Sequence, residues 1–188
     1  MEKHEQIRLF KEKAEAVQTF VADIGELQLA FLYAIEVTKK QGGSTIAAPG
    51  LAQKDSDALS AFRALCEENG VTLVTENLRS EMGKLHTGFT IADHAVAETA
   101  TLVQDSSSED LRIATMLSEI HVAVLPASRI KADAMSLENE LKEYMKAPPS
   151  YVAFISGASR TADIERVLTI GVHGPQELHV LLLDETMD

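Results

Sequence analysis

The densest polar cluster in the chain lies near its C-terminal end, between two apolar runs of strand length, 151–155 and 178–183. Its members are Ser159, Arg160, Thr161 and Asp163. Ligands of open α/β sheets bind where strands end and loops begin. Hydroxyls, a guanidinium and the free N–H groups at the start of a helix can together hold a phosphate or a carboxylate. The sequence therefore predicts a small-anion site in a turn between a buried strand of a parallel sheet and a short helix.

The same residues also suit a catalytic role or a purely structural one. The stretch 157–161 is close to the nucleophile elbow of hydrolases, but Thr161 stands where that turn needs its second glycine. Ser159 or Thr161 as the helix N-cap, with Asp163 in the first turn, accounts for the pattern without catalysis. Arg160 beside Asp163 equally suits a structural ion pair. A serine nucleophile is therefore not expected here, and anion binding is the functional hypothesis that we weigh against a purely structural role.

A glycine-flanked loop, 171–175, carries the second candidate group. The imidazole of His173 could be exposed there and act as a proton-transfer catalyst, and Gly174 is included among the predicted ligand-binding residues. If the preceding helix is a full crossover, His173 and Ser159 lie at opposite sheet edges. If that helix ends after about two turns, the two residues can share a site.

Glu98 is the third candidate, because it stands beside the hydroxyls of Thr99 and Thr101 at a predicted helix–strand junction. A carboxylate in that position can be a general base or a hydrogen-bonded cap. For Glu98 we favour the capping role.

His121 and His179 fall within strand patterns and are predicted to be hydrogen-bonded strand residues. No spacing of His, Asp or Glu predicts a metal site.

Composition limits the partners. The chain of 188 residues has 29 acidic and 17 basic residues and a net charge of −12, which disfavours nucleic acid and anionic membranes. The single cysteine, Cys66, cannot form an internal disulfide or hold a four-cysteine cluster. We therefore expect no cofactor in this chain, and any iron–sulfur cluster must belong to a partner.

No apolar run has the length of a membrane span, and the first residues lack the layout of a secretory signal. We expect a cytoplasmic protein.

Periodicity predicts one α/β domain over 1–188, with an N-terminal helical part, 1–42, and an α/β core, 43–188. Apolar residues from Ile7 to Ile24 recur at helical spacing, and this helix could cover the domain's own core or form a homodimer interface. A second helix runs from Leu27 through Val37. The predicted core consists of strands 44–48, 71–75, 100–103 and 120–125, helices 57–68, 93–97, 109–117 and 131–146, and a loop or lid at 77–88. The chain has no dinucleotide-binding fingerprint and no P-loop.

Three stretches together resemble a known family. They are Gly157-Ala158-Ser159-Arg160-Thr161 followed by Gly171-Val172-His173-Gly174-Pro175, then Ala97-Glu98-Thr99-Ala100-Thr101, and the strand Ile120-His121-Val122-Ala123-Val124. Their order and spacing resemble the lactate utilization protein C (LutC/YkgG) group of the LUD domain. Ala158 replaces a proline usual in the family, Ala100 a glycine, and Ser118 a common proline.

The resemblance implies a fold like that of the NagB, RpiA and CoA-transferase group, with a mostly parallel sheet flanked by helices. It also implies a subunit of a system that oxidises lactate to pyruvate with iron–sulfur partner subunits. In that case this chain is an accessory subunit that binds partners and a small anion. The alternative is a free-standing enzyme on a CoA-transferase-like scaffold, acting on an acyl-CoA or a phosphorylated or carboxylated small molecule, with Glu98 or His173 as catalyst.

Overall fold

The computed structural model describes residues 1–146, 150–158, 174–184 and, for the backbone alone, 162–164 and 167–169. The helices are α1 Lys3–Ala16, α2 Leu27–Lys40, α3 Leu51–Lys54, α4 Ser56–Glu68, α5 Glu109–Leu117 and α6 Glu138–Tyr144. The strands are β1 Phe20–Ile24, β2 Thr45–Ala47, β3 Thr72–Val74, β4 Thr87–Ile91, β5 His94–Val96, β6 Thr101–Asp105, β7 Ile120–Pro126, β8 Ile130–Lys131, β9 Val152–Ile155, β10 Ala162–Ile164, β11 Val167–Thr169 and β12 Glu177–Leu183.

The centre of the fold is a six-stranded sheet with the order β1-β12-β7-β4-β2-β3. All five pairings are parallel, which confirms the predicted α/β class with a parallel sheet. A second sheet of four strands has the order β8-β5-β6-β9 and is largely antiparallel.

Helices α2, α3 and α4 cover one face of the main sheet. The core there is built around aromatic rings: Phe31 and Phe62 are stacked with centroids 4.3 Å apart, and Phe62 meets Phe89 edge to face with centroids 4.9 Å apart. Cys66 is fully buried in this layer, and burial raises the pKa of its thiol to about 11. Cys66 thus packs as a small buried hydrophobic residue.

Helix α1 and the second sheet cover the opposite face, where small residues such as Ala123 of β7 and Ala95 of β5 let the two sheets approach closely. Helix α5 packs beside them, with Ala114 buried against Ala47 and Leu78. The fold is therefore a main sheet between a helical layer and a mixed layer of helices and strands.

The local signals in the sequence account for several elements. The Asp55 carboxylate accepts the N–H groups of Asp57 and Ala58 at 3.0 and 2.9 Å, which caps α4. Helix α4 ends before Gly70, whose φ of 68° is a left-handed conformation that glycine adopts without strain. Helix α5 and strand β7 also lie where the sequence predicted them.

Two predictions for the first half of the chain are wrong. The apolar residues Val21 and Ile24 do not continue the first helix, because α1 ends at Ala16 and Gln18 turns the chain with φ 54°. They lie in β1, an edge strand of the main sheet. The predicted loop 77–88 is also too long, since its last two residues begin the buried strand β4.

The second sheet differs from what the sequence predicted. The predicted helix 93–97 contains strand β5, and the predicted helix 131–146 begins only at Glu138. Before it, the Asp133 carboxylate accepts the Ser136 N–H at 2.8 Å and forms a turn. The strand 151–155, predicted to be interior and parallel, is the edge strand β9, and the side chain of Phe154 is 52% exposed.

The short helix predicted after Thr161 is also wrong. Strands β10 and β11 form an antiparallel pair in which Asp163 is opposite Leu168. The β-branched residues in this stretch favour extended backbone over helix. Ser159 and Thr161, the predicted N-cap residues, lie outside the described residues. The described backbone after them forms strands, so the two alternatives for the length of that helix no longer apply.

Candidate functional site

Two of the predicted ligand-binding residues form a chain of hydroxyls. The Thr99 and Thr101 hydroxyl oxygens are 2.7 Å apart, and Thr101 contacts the Ser156 hydroxyl at 2.5 Å. Ser156 follows β9, so the pairing of β6 with β9 brings together residues 55 positions apart in the sequence. The sequence analysis missed Ser156, although it lies directly before the predicted cluster.

Ser156 also lines a cleft of about 490 Å³ beside β9, which we call the β9 cleft. Its other walls include Gly157, Ala158, Gly174 and, from α5, Arg112. The Arg112 guanidinium donates to the Ser106 carbonyl at 2.5 Å and lies 5.2 Å from the centre of the Tyr151 ring. Gly174 thus borders a cleft, while its role in ligand binding stays a prediction.

Glu98 is exposed in a single 3-10 turn, Ala97–Thr99. Its carboxylate accepts the Ala134 N–H at 3.3 Å, and its own N–H donates to the Ala132 carbonyl at 3.2 Å. These bonds hold a neighbouring loop, which agrees with the capping role that we favoured. Glu98 is not among the residues that line the β9 cleft, so its catalytic role stays a prediction.

The remaining predicted site residues are not placed by side chain. Ser159, Arg160, Thr161 and His173 lie outside the described residues, and only the backbone of Asp163 is described. The anion site and the proton-transfer role of His173 therefore stay predictions. Within the described ranges, no group of three or more His, Cys, Asp or Glu side chains is placed to hold a metal ion.

A polar crevice of about 610 Å³ lies at the carboxyl ends of the parallel strands. After β2 the chain passes outward to β3 and then returns across β2 to β4, so the strand order reverses between β2 and β4. Such a reversal leaves a gap between the loops that follow the two strands, where α/β proteins bind their ligands. The crevice is lined by residues that follow β2, β3, β4 and β6, among them Gly50, Lys54, Asn77, Asp93 and Asp105.

Asp93 joins the walls of the crevice. Its carboxylate accepts hydrogen bonds from the Lys54 ammonium at 2.7 Å, the Gln104 amide at 3.1 Å and the Asp105 N–H at 2.7 Å. Lys54 also donates to the Ile91 carbonyl at 2.8 Å. Asp93 and Lys54 thus fix the loops after β2 and β4 against the second sheet.

The electrostatic environment of the crevice is negative. Lys54 is paired with Asp93, whereas Glu76, Asp105 and Asp110 add carboxylates to the lining. Burial, and after it the charges of Asp93 and Asp105, raise the pKa of nearby Tyr144 to about 12. The crevice is therefore better suited to uncharged or cationic groups than to a free anion.

Replacing Asp93 by asparagine is expected to lower the free energy of unfolding by about 2 kcal/mol, because the half-buried Asp93 carboxylate loses its charge and its hydrogen bonds from Lys54, Gln104 and the Asp105 N–H are weakened. The matched control is Asp23→Asn, which breaks the surface pair of Asp23 with Lys11 and should cost no more than about 1 kcal/mol. Urea denaturation of both variants measures the difference. Equal losses would mean that the Asp93 pair does not hold the crevice together.

From the sequence, Asp93 was recognised only as the start of the predicted helix 93–97, and neither Lys54 nor Gln104 was singled out. Gln104 carried a usable signal, because a long polar side chain inside an apolar strand needs a buried hydrogen-bond partner. Lys54 carried none, since its partner is 39 residues away in the sequence.

Comparison with known proteins gives the family. The sequence model of the LUD domain matches residues 2–183. The chain is 38% identical over 102 residues to a lactate utilization protein C of Exiguobacterium sp., covering 52% of this chain and 44% of that protein. It is 35% identical over 105 residues to a lactate utilization protein C of Halalkalibacterium halodurans, covering 53% and 45%. The matched region thus spans just under half the length of these relatives.

A solved structure supports the fold. The crystal structure of a DUF162 family protein from Deinococcus radiodurans superposes with a TM-score of 0.62, covering 97% of this chain and 99% of that chain, at 14% sequence identity. At that identity the likeness concerns the fold alone. With the family model matching nearly the whole length, the chain belongs to the LUD domain family.

Proposed function

We propose that this chain is a cytoplasmic accessory subunit of an iron–sulfur-dependent system that oxidises L-lactate to pyruvate. The observation that carries the proposal is its identity of 38% and 35% to relatives named lactate utilization protein C. In this role the chain contributes partner contacts and a ligand site, and the partner subunits contribute the redox centres.

The chemistry of the only cysteine supports that division of roles. Iron–sulfur clusters are held by thiolates. The Cys66 thiol is fully buried and its pKa is raised to about 11, so it is poorly suited to bind iron. Among the described helices, none has the length and apolar character needed to cross a membrane. We place the ligand site in the crevice, because it lies at the reversal of strand order.

Growth of a gene-deletion strain tests the proposed role. We expect the strain to fail on L-lactate as sole carbon source and to grow normally on pyruvate, because only the oxidation step is lost. Reintroducing the gene should restore growth on lactate. Normal growth of the deletion strain on lactate, in cells without a second copy of the gene, would refute the role.

A pull-down tests the partners. Tagged protein from cells grown on lactate should bring down cysteine-rich subunits, giving a brown eluate that reduces a dye when lactate is added. A colourless eluate that contains this chain alone would contradict the accessory role. It would favour the free-standing CoA-transferase-like enzyme, and a screen of acyl-CoA and phosphorylated substrates would follow.

The exposed carboxylate of Glu98, beside the Thr99 and Thr101 hydroxyls, is the observation that favours this second candidate. Glu98→Gln and His173→Asn should then each abolish any turnover that the screen finds. Full activity in both variants would exclude the two residues as catalysts.

A further inference from the structure

A second, smaller chamber lies at the inner end of the crevice. It has a volume of about 20 Å³ and shares Gly50, Lys54 and Gln104 with the crevice. A space of about 10–15 Å³ is enough for one group of the size of a water molecule. Most of its wall is apolar, including Phe89 and Leu111. Its polar side chains are Thr90, Gln104 and Lys54, and the Lys54 ammonium is already bonded to the Ile91 carbonyl and the Asp93 carboxylate. The chamber therefore admits one small group and offers it two hydrogen-bonding partners.

His121 fixes the direction of the hydrogen bond at Thr90. The His121 Nε2 atom is 2.9 Å from the Thr90 hydroxyl oxygen, and both residues are buried, with 1% and 2% exposure. The Nδ1 atom is buried without a hydrogen-bond partner among the described residues. Burial lowers the pKa of His121 to about 4, so the ring is neutral at pH 7 and carries a single proton.

That proton is more stable on Nε2, where it meets the Thr90 oxygen, than on Nδ1, where a buried donor would lack an acceptor. His121 then donates and Thr90 accepts. The hydroxyl proton of Thr90 is left available for a second hydrogen bond. Thr90 is thus a donor toward the chamber, and His121 is the residue that positions it.

Gln104 supplies the complementary group. Its amide nitrogen donates to the Asp93 carboxylate at 3.1 Å and to the Ile91 carbonyl at 3.4 Å. These two bonds use both amide hydrogens and fix the orientation of the side chain, because a carboxylate cannot donate to the amide oxygen. The oxygen, Oε1, is therefore the acceptor that Gln104, itself 3% exposed, can offer to the chamber.

The chamber has space for one group and offers it one donor, the Thr90 hydroxyl, and one acceptor, Gln104 Oε1. A hydroxyl group satisfies both, because it can accept from Thr90 and donate to Gln104. A methyl group would leave both partners unpaired, and a carboxylate oxygen cannot donate. We propose that the chamber binds a hydroxyl group of a small hydroxylated ligand, whose remainder lies in the outer crevice. This inference deepens the ligand-binding part of the proposed function, since a 2-hydroxy acid belongs to that class, although its carboxylate would have to lie away from Glu76, Asp105 and Asp110 in the outer crevice.

The first test measures the tautomer of His121 in the wild-type protein. Long-range ¹H–¹⁵N NMR spectra at pH 7 distinguish a protonated Nε2 from a protonated Nδ1. We expect Nε2–H. A ring protonated on Nδ1 would require Thr90 to donate to His121 and would overturn the proposal.

The second test measures binding with probes that differ in the hydroxyl. In protein labelled with ¹³C at the threonine methyls, 1,2-propanediol should shift the Thr90 signal, while 1,2-dimethoxyethane, which cannot donate, should bind about fivefold more weakly or not at all. Equal binding of the two, or no shift with the diol, would overturn the proposal.

Variants locate the effect. Thr90→Val removes the hydroxyl and should weaken binding of the diol about fivefold, whereas Thr90→Ser keeps it and should preserve binding. The matched control is Thr115→Val, a buried threonine whose hydroxyl donates to Leu111 within α5 and which lines the β9 cleft instead. Loss of diol binding in Thr90→Ser or in Thr115→Val would overturn the assignment. Because Thr90→Ser and the tautomer are measured without Thr90→Val, the test stands even if that variant does not fold.

L-lactate and propionate form a second matched pair, and they separate this inference from the proposed function. A shift of the Thr90 signal with L-lactate and none with propionate supports both the hydroxyl chamber and the crevice as a lactate site. Binding of the diol without binding of L-lactate supports the hydroxyl chamber and counts against the crevice as a lactate site. The growth test on lactate is unaffected by either result.

Discussion

Replacing Gly88 by alanine is expected to lower the free energy of unfolding by about 3 kcal/mol or more. A Cβ atom at this position would lie 2.1 Å from the Ala114 carbonyl oxygen and 2.9 Å from its carbonyl carbon. Both atoms belong to the backbone of α5, so no change of rotamer relieves the contact. Gly88 is also paired with Ala47 on one side and His121 on the other, so β4 cannot move without its neighbours.

The matched control is Gly83→Ala, because a Cβ there meets no heavy atom within 4 Å. This variant should be as stable as the wild type or slightly more stable, since alanine reduces the entropy of the unfolded chain. Urea denaturation followed by circular dichroism compares the two substitutions. If both variants unfold at the same urea concentration as the wild type, α5 does not press on β4 as described.

The sequence alone was sufficient to predict those elements in and around the main sheet that carry their own local signals. Asp55 caps α4 and Gly70 follows its end, and these two signals bound the helix between β2 and β3. Strand β7 is a continuous apolar run buried along its whole length, which is typical of a central parallel strand.

The second sheet could not be predicted in the same way, because its strands are short and their partners are remote. Val103 is opposite both His94 and Phe154, so β6 is ordered by two segments on either side of it in the sequence. A three-residue strand such as β5 has too few residues to show an alternating pattern. The helix predicted at 93–97 was wrong for this reason.

The candidate site shows the same limit. Thr99 and Thr101 were recognisable because they are close in sequence, and in the structure their hydroxyls contact each other. The pairs Lys54–Asp93 and Thr90–His121 are created by the crossing from β2 through β3 to β4 and by the pairing of β4 with β7. Spacing in one sequence does not record such contacts.

Lowering the pH is expected to destabilise the protein through His121. The ordinary pKa of a histidine is 6.5, and in the folded protein burial, and after it the charge of His179, lower the pKa of His121 to about 4. The unfolded chain therefore takes up this proton first as the pH falls below about 6.5, and the folded state loses stability between about pH 6.5 and pH 4. The free energy of unfolding therefore rises with pH across this window.

The expected size is about 2 kcal/mol between pH 7.5 and pH 5, and roughly 3 kcal/mol over the whole window. His121→Gln removes the titrating ring while an amide can still bond to Thr90, so this variant should lose most of the pH dependence.

His94 adds a smaller pH dependence of the same sign, because burial lowers its pKa. The charges of Lys131 and Arg129 also lower this pKa, whereas those of Glu140 and Asp93 raise it. Urea denaturation at the two pH values, in the wild type, His121→Gln and His94→Gln, separates the two histidines. An unchanged pH dependence in His121→Gln would show that His121 is accessible to protons in the folded state, and the Thr90 hydroxyl would then not be held as a donor toward the chamber.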